Sequence, residues 1–113
     1  MLQAAPDGYT LLSANNGALI IQPLVNQHAT YDALKDFTPI TQLAASFLAI
    51  GVHKSVPATN VKEFIALAKA APDSIRYASS GNGSSQHLMG GLFASMTGTK
   101  LQHVPYRGSA GAA

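Results

Sequence analysis

The chain has 113 residues and a mass of 11.7 kDa, which limits it to one small domain or to part of a larger one. Hydrophobic residues make up 47%, enough for a core, whereas charged residues make up only 11%, against roughly a quarter in an ordinary soluble domain. Seven Lys and Arg against five Asp and Glu give a scattered net charge of +2 without a basic stripe, which argues against nucleic acid as a partner, and the lack of cysteine excludes disulfides, a thiolate nucleophile and a zinc ribbon.

In chain order, Met1 to Gly8 lacks the basic and apolar regions of a signal peptide, so any export signal is expected upstream. Pro6-Asp7-Gly8 is turn chemistry, and Tyr9 to Ser13 reads as a short buried strand. That strand runs into Asn15-Asn16-Gly17, residues suited to left-handed backbone or to capping. Ala18 to Asn26 is apolar and partly helical, with Pro23 limiting its regularity. A mixed polar loop, Gln27 to Pro39, follows. Ile40 to His53 reads as extended, either two strands or one that bends near Ser46. Its most apolar stretch, Leu43 to Val52, is far short of the roughly 20 residues of a spanning helix.

Asn60 opens a clear helix. Asn60 and Glu63 have capping-box spacing, and Val61, Phe64, Ile65 and Ala68 form one apolar face before Pro72 ends the helix. Ile75 to Ser79 reads as a strand, Ser80 to Ser85 as a loop, and Leu88, Leu92, Phe93 and Met96 as the inner face of a second helix that stops at Thr97-Gly98. Leu101 to Pro105 is a further strand. From about residue 40 the order is β-α-β-α-β, which predicts an α/β architecture with a mainly parallel sheet. The chain stops at Ala113, where a covering helix should begin, and so reads as a fragment.

Three loops at the carboxyl ends of predicted strands, where open α/β sheets bind ligands, are the candidate sites. In Ser80-Gly81-Asn82-Gly83-Ser84-Ser85-Gln86-His87, the first helix amides and the positive end of the helix dipole suit an anion. The glycines allow close approach, and the serines can donate. Lacking Lys it is no phosphate-binding P-loop, and with Gln86 where a third Gly belongs it is no dinucleotide fingerprint; a carboxylate fits better. An ordinary capped helix start would use the same residues. Tyr106, Gly108 and Ser109 offer a second set, with Arg107 as a charge that can equally be solvated. Asn15, Asn16 and Gly17 offer a third, which also suits a plain turn.

Catalytic patterns are weak. Gly83-Ser84-Ser85-Gln86-His87 lacks the closing glycine of a nucleophile elbow, and no acid stands near Ser84 and His87 to orient the histidine. His28, His53, His87 and His103 have no metal-ligand spacing, and His53 and His103 are expected at strand ends, hydrogen-bonded to backbone. No cofactor is implied.

The sequence resembles the periplasmic substrate-binding receptors of tripartite tricarboxylate transporters, the Bug-type receptors. The resemblance lies in five stretches, in order: Ala5 to Leu12, Asp36 to Ile40, Val61 to Ala70, Tyr77 to Leu88 and His103 to Ser109. It implies a portion of a two-lobed Venus-flytrap fold that closes over a small carboxylate, with residues 1–45 in the first lobe and 46–113 beginning the second. It also implies a non-enzymatic periplasmic receptor that hands its ligand to membrane transporter subunits. On this resemblance Asn15, Asn16 and Gly17 serve from one lobe, and Ser80, Gly83, Ser84, Ser85, His87, Tyr106, Gly108 and Ser109 from the other. Arg107 stands where the family often has Lys. A bare chain of this length would expose a sheet edge suited to pairing with a second copy. The alternatives are a small serine hydrolase using Ser84 or Ser85 with His87, and a truncated interaction module.

Overall fold

Local hydrogen bonding explains most of what forms. The computed structural model describes residues 3–111, and the chain divides into two compact units, Met1–Ala45 and Ser46–Ala113.

In the first unit the Pro6-Asp7-Gly8 turn closes as expected: Asp7 Oδ1 accepts the Tyr9 N–H at 3.0 Å and Gly8 takes φ 82°. The strand expected over Tyr9 to Ser13 is absent. The segment is irregular and Tyr9 is 93% exposed. With no strand among the described residues of this unit, an extended segment here has no ladder partner for its backbone groups. The helical expectation for Ala18 to Asn26 holds in an unusual form. Gly17–Ile21 is a wide π turn that passes into α1, Gln22–Val25. Pro23, in the first turn of α1, has no N–H to give to the preceding turn, and its ring pushes that turn's carbonyl away; the widened turn accommodates it. Tyr31 anchors the following loop by donating its hydroxyl to the Ala18 carbonyl and packing edge-on against Phe37 at 6.3 Å. An exposed Lys35–Asp32 pair at 3.0 Å adds little stability.

The extended run expected over Ile40 to His53 also forms no strand, and Phe47 is 98% exposed. Apolar residues without a sheet to join cannot bury a face, so the β-α-β-α-β expectation loses its first strand. His53 is bonded to backbone as expected, its Nδ1 accepting the Ser55 N–H at 3.3 Å with Ser55 Oγ 2.8 Å away, but it leads into a turn and not from a strand end.

The second unit's regular part begins at α2, Val61–Ala70. Asn60 caps it: its Oδ1 accepts the Glu63 N–H at 3.0 Å. The reciprocal arm reaches one residue further back than a standard capping box, because Glu63 Oε2 accepts both the N–H and the hydroxyl of Thr59, at 2.7 and 2.9 Å. Those bonds, the Thr59 N–H first, hold the Glu63 carboxyl below the usual range. Ala68 is fully buried and Phe64 packs on Phe93 with ring centroids 6.0 Å apart. Val61, expected on the same inner face, lies exposed at the helix's open end.

Strands β1, Arg76–Ser79, and β2, Gln102–Pro105, pair in parallel, with Tyr77 opposite His103 and Ser79 opposite Pro105. The crossover between them is α3, Ser85–Thr97, closed by Gly98 in the left-handed conformation at φ 63°. This β-α-β unit matches the sequence expectation from Ile75 onward. The inner face expected for α3 is only partly covered: Phe93 is half-buried, whereas Leu88, Leu92 and Met96 are exposed. A two-stranded sheet is too narrow to cover a 13-residue helix. After β2 the chain makes a 3₁₀ turn, Ser109–Gly111, where a helix is expected to open; Ala112 and Ala113 lie outside the described residues.

Candidate functional site

The β1–α3 connection builds its loop from backbone geometry. Gly81 and Gly83 take φ 133° and 73°, and a side chain at Gly81 would approach the Tyr106 carbonyl to 3.3 Å. Two independent constraints therefore require glycine there. Ser84 caps α3, its Oγ accepting the His87 N–H at 3.2 Å, and its own N–H goes to the Gly81 carbonyl. The Gly83 N–H points to His87 Nδ1 at 3.2 Å, and the Gly81 N–H to Ser79 Oγ at 3.1 Å. Of the first-turn amides of α3, those of Ser85 and Gln86 have no acceptor among the described residues. These two N–H groups and the Ser84 and Ser85 hydroxyl protons, at the positive end of a 13-residue helix, are the donors left for an anion. Ser80 spends its proton on Gln86 Oε1 at 2.9 Å.

The β2 loop joins this one. Tyr106 N–H donates to the Ser79 carbonyl at 3.0 Å, and Gly108 N–H, with φ 100° at that residue, donates to the Ser80 carbonyl at 3.2 Å. Ser80, Gly83, Ser84, Ser85, His87, Tyr106, Gly108 and Ser109 thus cluster at the carboxyl ends of two parallel strands. Arg107 is exposed.

In the first unit, Asn15 Oδ1 accepts the Ala18 N–H at 3.1 Å, so its side chain caps the π turn and keeps its amide protons for other partners. Asn15 stands at the rim of an open hollow lined by Leu12, Ala18, Leu19, Tyr31 and Phe37. Asn16 is exposed and makes no capping bond, and Gly17 is buried.

Two residues were missed by the sequence reading. Ser79, 1% exposed, lies with its Oγ 2.7 Å from His103 Nε2. His103 was expected to bond backbone; instead it bonds this side chain, and its ring stacks on His87 with centroids 3.9 Å apart and planes 5° from parallel. The available signal was strand alternation. Tyr77 and Ser79 share one face of β1, and His103 opposite Tyr77 puts Ser79 on its diagonal. Burial, and secondarily His87, lower the His103 pKa.

A hydrolytic reading of Ser84 with His87 does not fit the bonding. Ser84 bonds the His87 backbone amide, and the His87 Nδ1 already accepts from Gly83. Among the described residues no three potential metal ligands come together, and no helix is long and apolar enough to cross a membrane.

The sequence profile described as "Tripartite tricarboxylate transporter family receptor" matches residues 1–113. A UPF0065 protein of Bordetella bronchiseptica is 38% identical over 106 residues, covering 94% of this chain and 31% of that protein. Protein BugT of Bordetella pertussis is 30% identical over 108 residues, covering 95% of this chain and 33% of its own length. The chain therefore spans about a third of the length of the curated relatives it matches. A structure described as a periplasmic transporter superposes with a TM-score of 0.92 at 38% identity, over 98% of this chain and 37% of that one. A structure of an R. palustris protein with adipate gives 0.51 at 42% identity, over 52% of this chain and 20% of that one. The architecture is thus a partial α/β fold of the periplasmic-binding-protein type, with parallel strands.

Proposed function

The chain belongs to the tripartite tricarboxylate transporter receptor family, and from that membership we propose that it is part of a periplasmic receptor that binds a small carboxylate for membrane transporter subunits. Residues 1–45 are assigned to the first lobe and 46–113 to the beginning of the second. The observation that carries the ligand class is the pair of open N–H groups on Ser85 and Gln86, beside the Ser84 and Ser85 hydroxyls, with no lysine or arginine in the loop. Neutral donors at a helix start hold a carboxylate without the fixed charge a polyphosphate calls for, and nothing there is arranged to transform it. The Tyr106–Ser109 segment borders the same loop and is assigned to the ligand's other polar groups. Asn15, Asn16 and Gly17 are the first unit's proposed contribution.

The test is titration calorimetry with a panel of mono-, di- and tricarboxylates, beginning with adipate, which accompanies a structural relative. Ser85 occupies the first helical position and caps nothing, so Ser85→Ala removes a donor without weakening the helix. Ser84→Gly removes the other hydroxyl and costs the cap only a few tenths of a kcal/mol. A hydrogen bond to a charged group contributes roughly 1.5–3 kcal/mol, so each variant is expected to weaken binding by about tenfold or more. Unchanged affinity in both would remove this loop from the site.

A further inference from the structure

The contacts just assigned to the ligand leave unused a pair beneath the loop, Ser79 buried and His103 half-buried. Ser79 Oγ accepts the Gly81 N–H at 3.1 Å and lies 2.7 Å from His103 Nε2. His103 in turn lies flat against His87, whose Nδ1 accepts the Gly83 N–H at 3.2 Å. Both glycines of the loop, each in a backbone conformation that only glycine adopts easily, are therefore tied to the same imidazole by different routes. We propose that His103 is the positioning residue of the Ser80–His87 loop, fixing it through Ser79 at Gly81 and through the stacked His87 ring at Gly83. The inference rests on the receptor reading for its consequence in binding.

The surroundings suit that role. Tyr77, the register partner of His103, lies 5.0 Å from its ring and donates its hydroxyl to the His87 carbonyl at 3.3 Å, so the two histidines and the tyrosine form one packed group. Two unit positive charges on imidazoles stacked 3.9 Å apart would repel. Burial first, and the neighbouring His87 second, lower the His103 pKa. The other titratable or charged groups on the elements around the pair are Arg76 and Tyr77 on β1 and Tyr106 and Arg107 after β2. None is a carboxylate that would reward a proton on His103.

Three substitutions separate the two routes by amide hydrogen exchange in the chain without ligand. His103→Ala is expected to speed exchange at both Gly81 and Gly83 by about tenfold or more. His103→Gln keeps a polar group for Ser79 and should restore Gly81 alone, while His103→Phe keeps a stacked ring and should restore Gly83 alone. Adipate affinity, read by calorimetry, should fall by about tenfold in His103→Ala. The proposal is overturned if both glycines exchange as in the unsubstituted chain when His103 is Ala, or if Gln and Phe each lose both glycines alike. Should the Ala variant fail to fold, the contrast between Gln and Phe still decides. The exchange result needs no ligand. A missing adipate signal in the unsubstituted chain therefore counts against the ligand reading and not against the positioning role.

Discussion

Single side chains decide whether the loop has a defined shape. The Ser79 hydroxyl, buried and bonded on three sides by Gly81 and His103, is fully satisfied, and a lone buried hydroxyl would be costly. His103 makes this arrangement sensitive to pH. Its pKa is lowered in the folded chain, burial being the main cause, so the unfolded chain binds more protons once the pH falls through the ordinary histidine value of about 6.5. Stability therefore rises with pH across that window and is lost on acidification through it. Thermal melting at pH 7.5 and pH 5.5 should show a larger acid loss for the unsubstituted chain than for His103→Gln, which cannot titrate. Equal losses would mean that this imidazole is not desolvated in solution.

Among the elements, the packing of α3 on β1 depends on one absent side chain. A Cβ at Gly90 would come within 2.2–2.7 Å of three atoms of the Tyr77 ring. That ring cannot retreat freely, because it packs beside His103 and its hydroxyl bonds the His87 carbonyl. Gly90→Ala is therefore expected to destabilise the chain by about 1–3 kcal/mol despite alanine's better helix propensity, measured by chemical denaturation. Gly91→Ala, which meets open space, serves as the control and should be neutral or stabilising. What the sequence disclosed at this scale follows hydrogen-bond range. The α2 cap at Asn60, the α3 stop at Gly98 and the Asp7 turn rest on partners within four residues, and all were legible. The strands expected at Tyr9 to Ser13 and Ile40 to His53 needed distant partners that the described residues do not supply, so their β-prone composition misled. In the candidate site, the glycine loop and the Ser84 cap could be read from local spacing. Ser79 and His103, 24 residues apart, meet only through parallel register.

At the scale of the whole chain, each unit leaves large apolar side chains open, Tyr9 and Leu34 in the first and Phe47 and Met96 in the second. Since the chain spans about a third of its curated relatives, the fold-determining interactions resolved within it are those of the β1–α3–β2 unit and its loop. The central claim, that this loop grips a carboxylate through the first open amides of α3, is tested most directly by amide proton NMR during titration with adipate and other small carboxylates. The account predicts that the Ser85 and Gln86 N–H resonances move downfield, further than any others, as a hydrogen bond to a charged oxygen forms. A carboxylate that binds while those two resonances stay in place would contradict it.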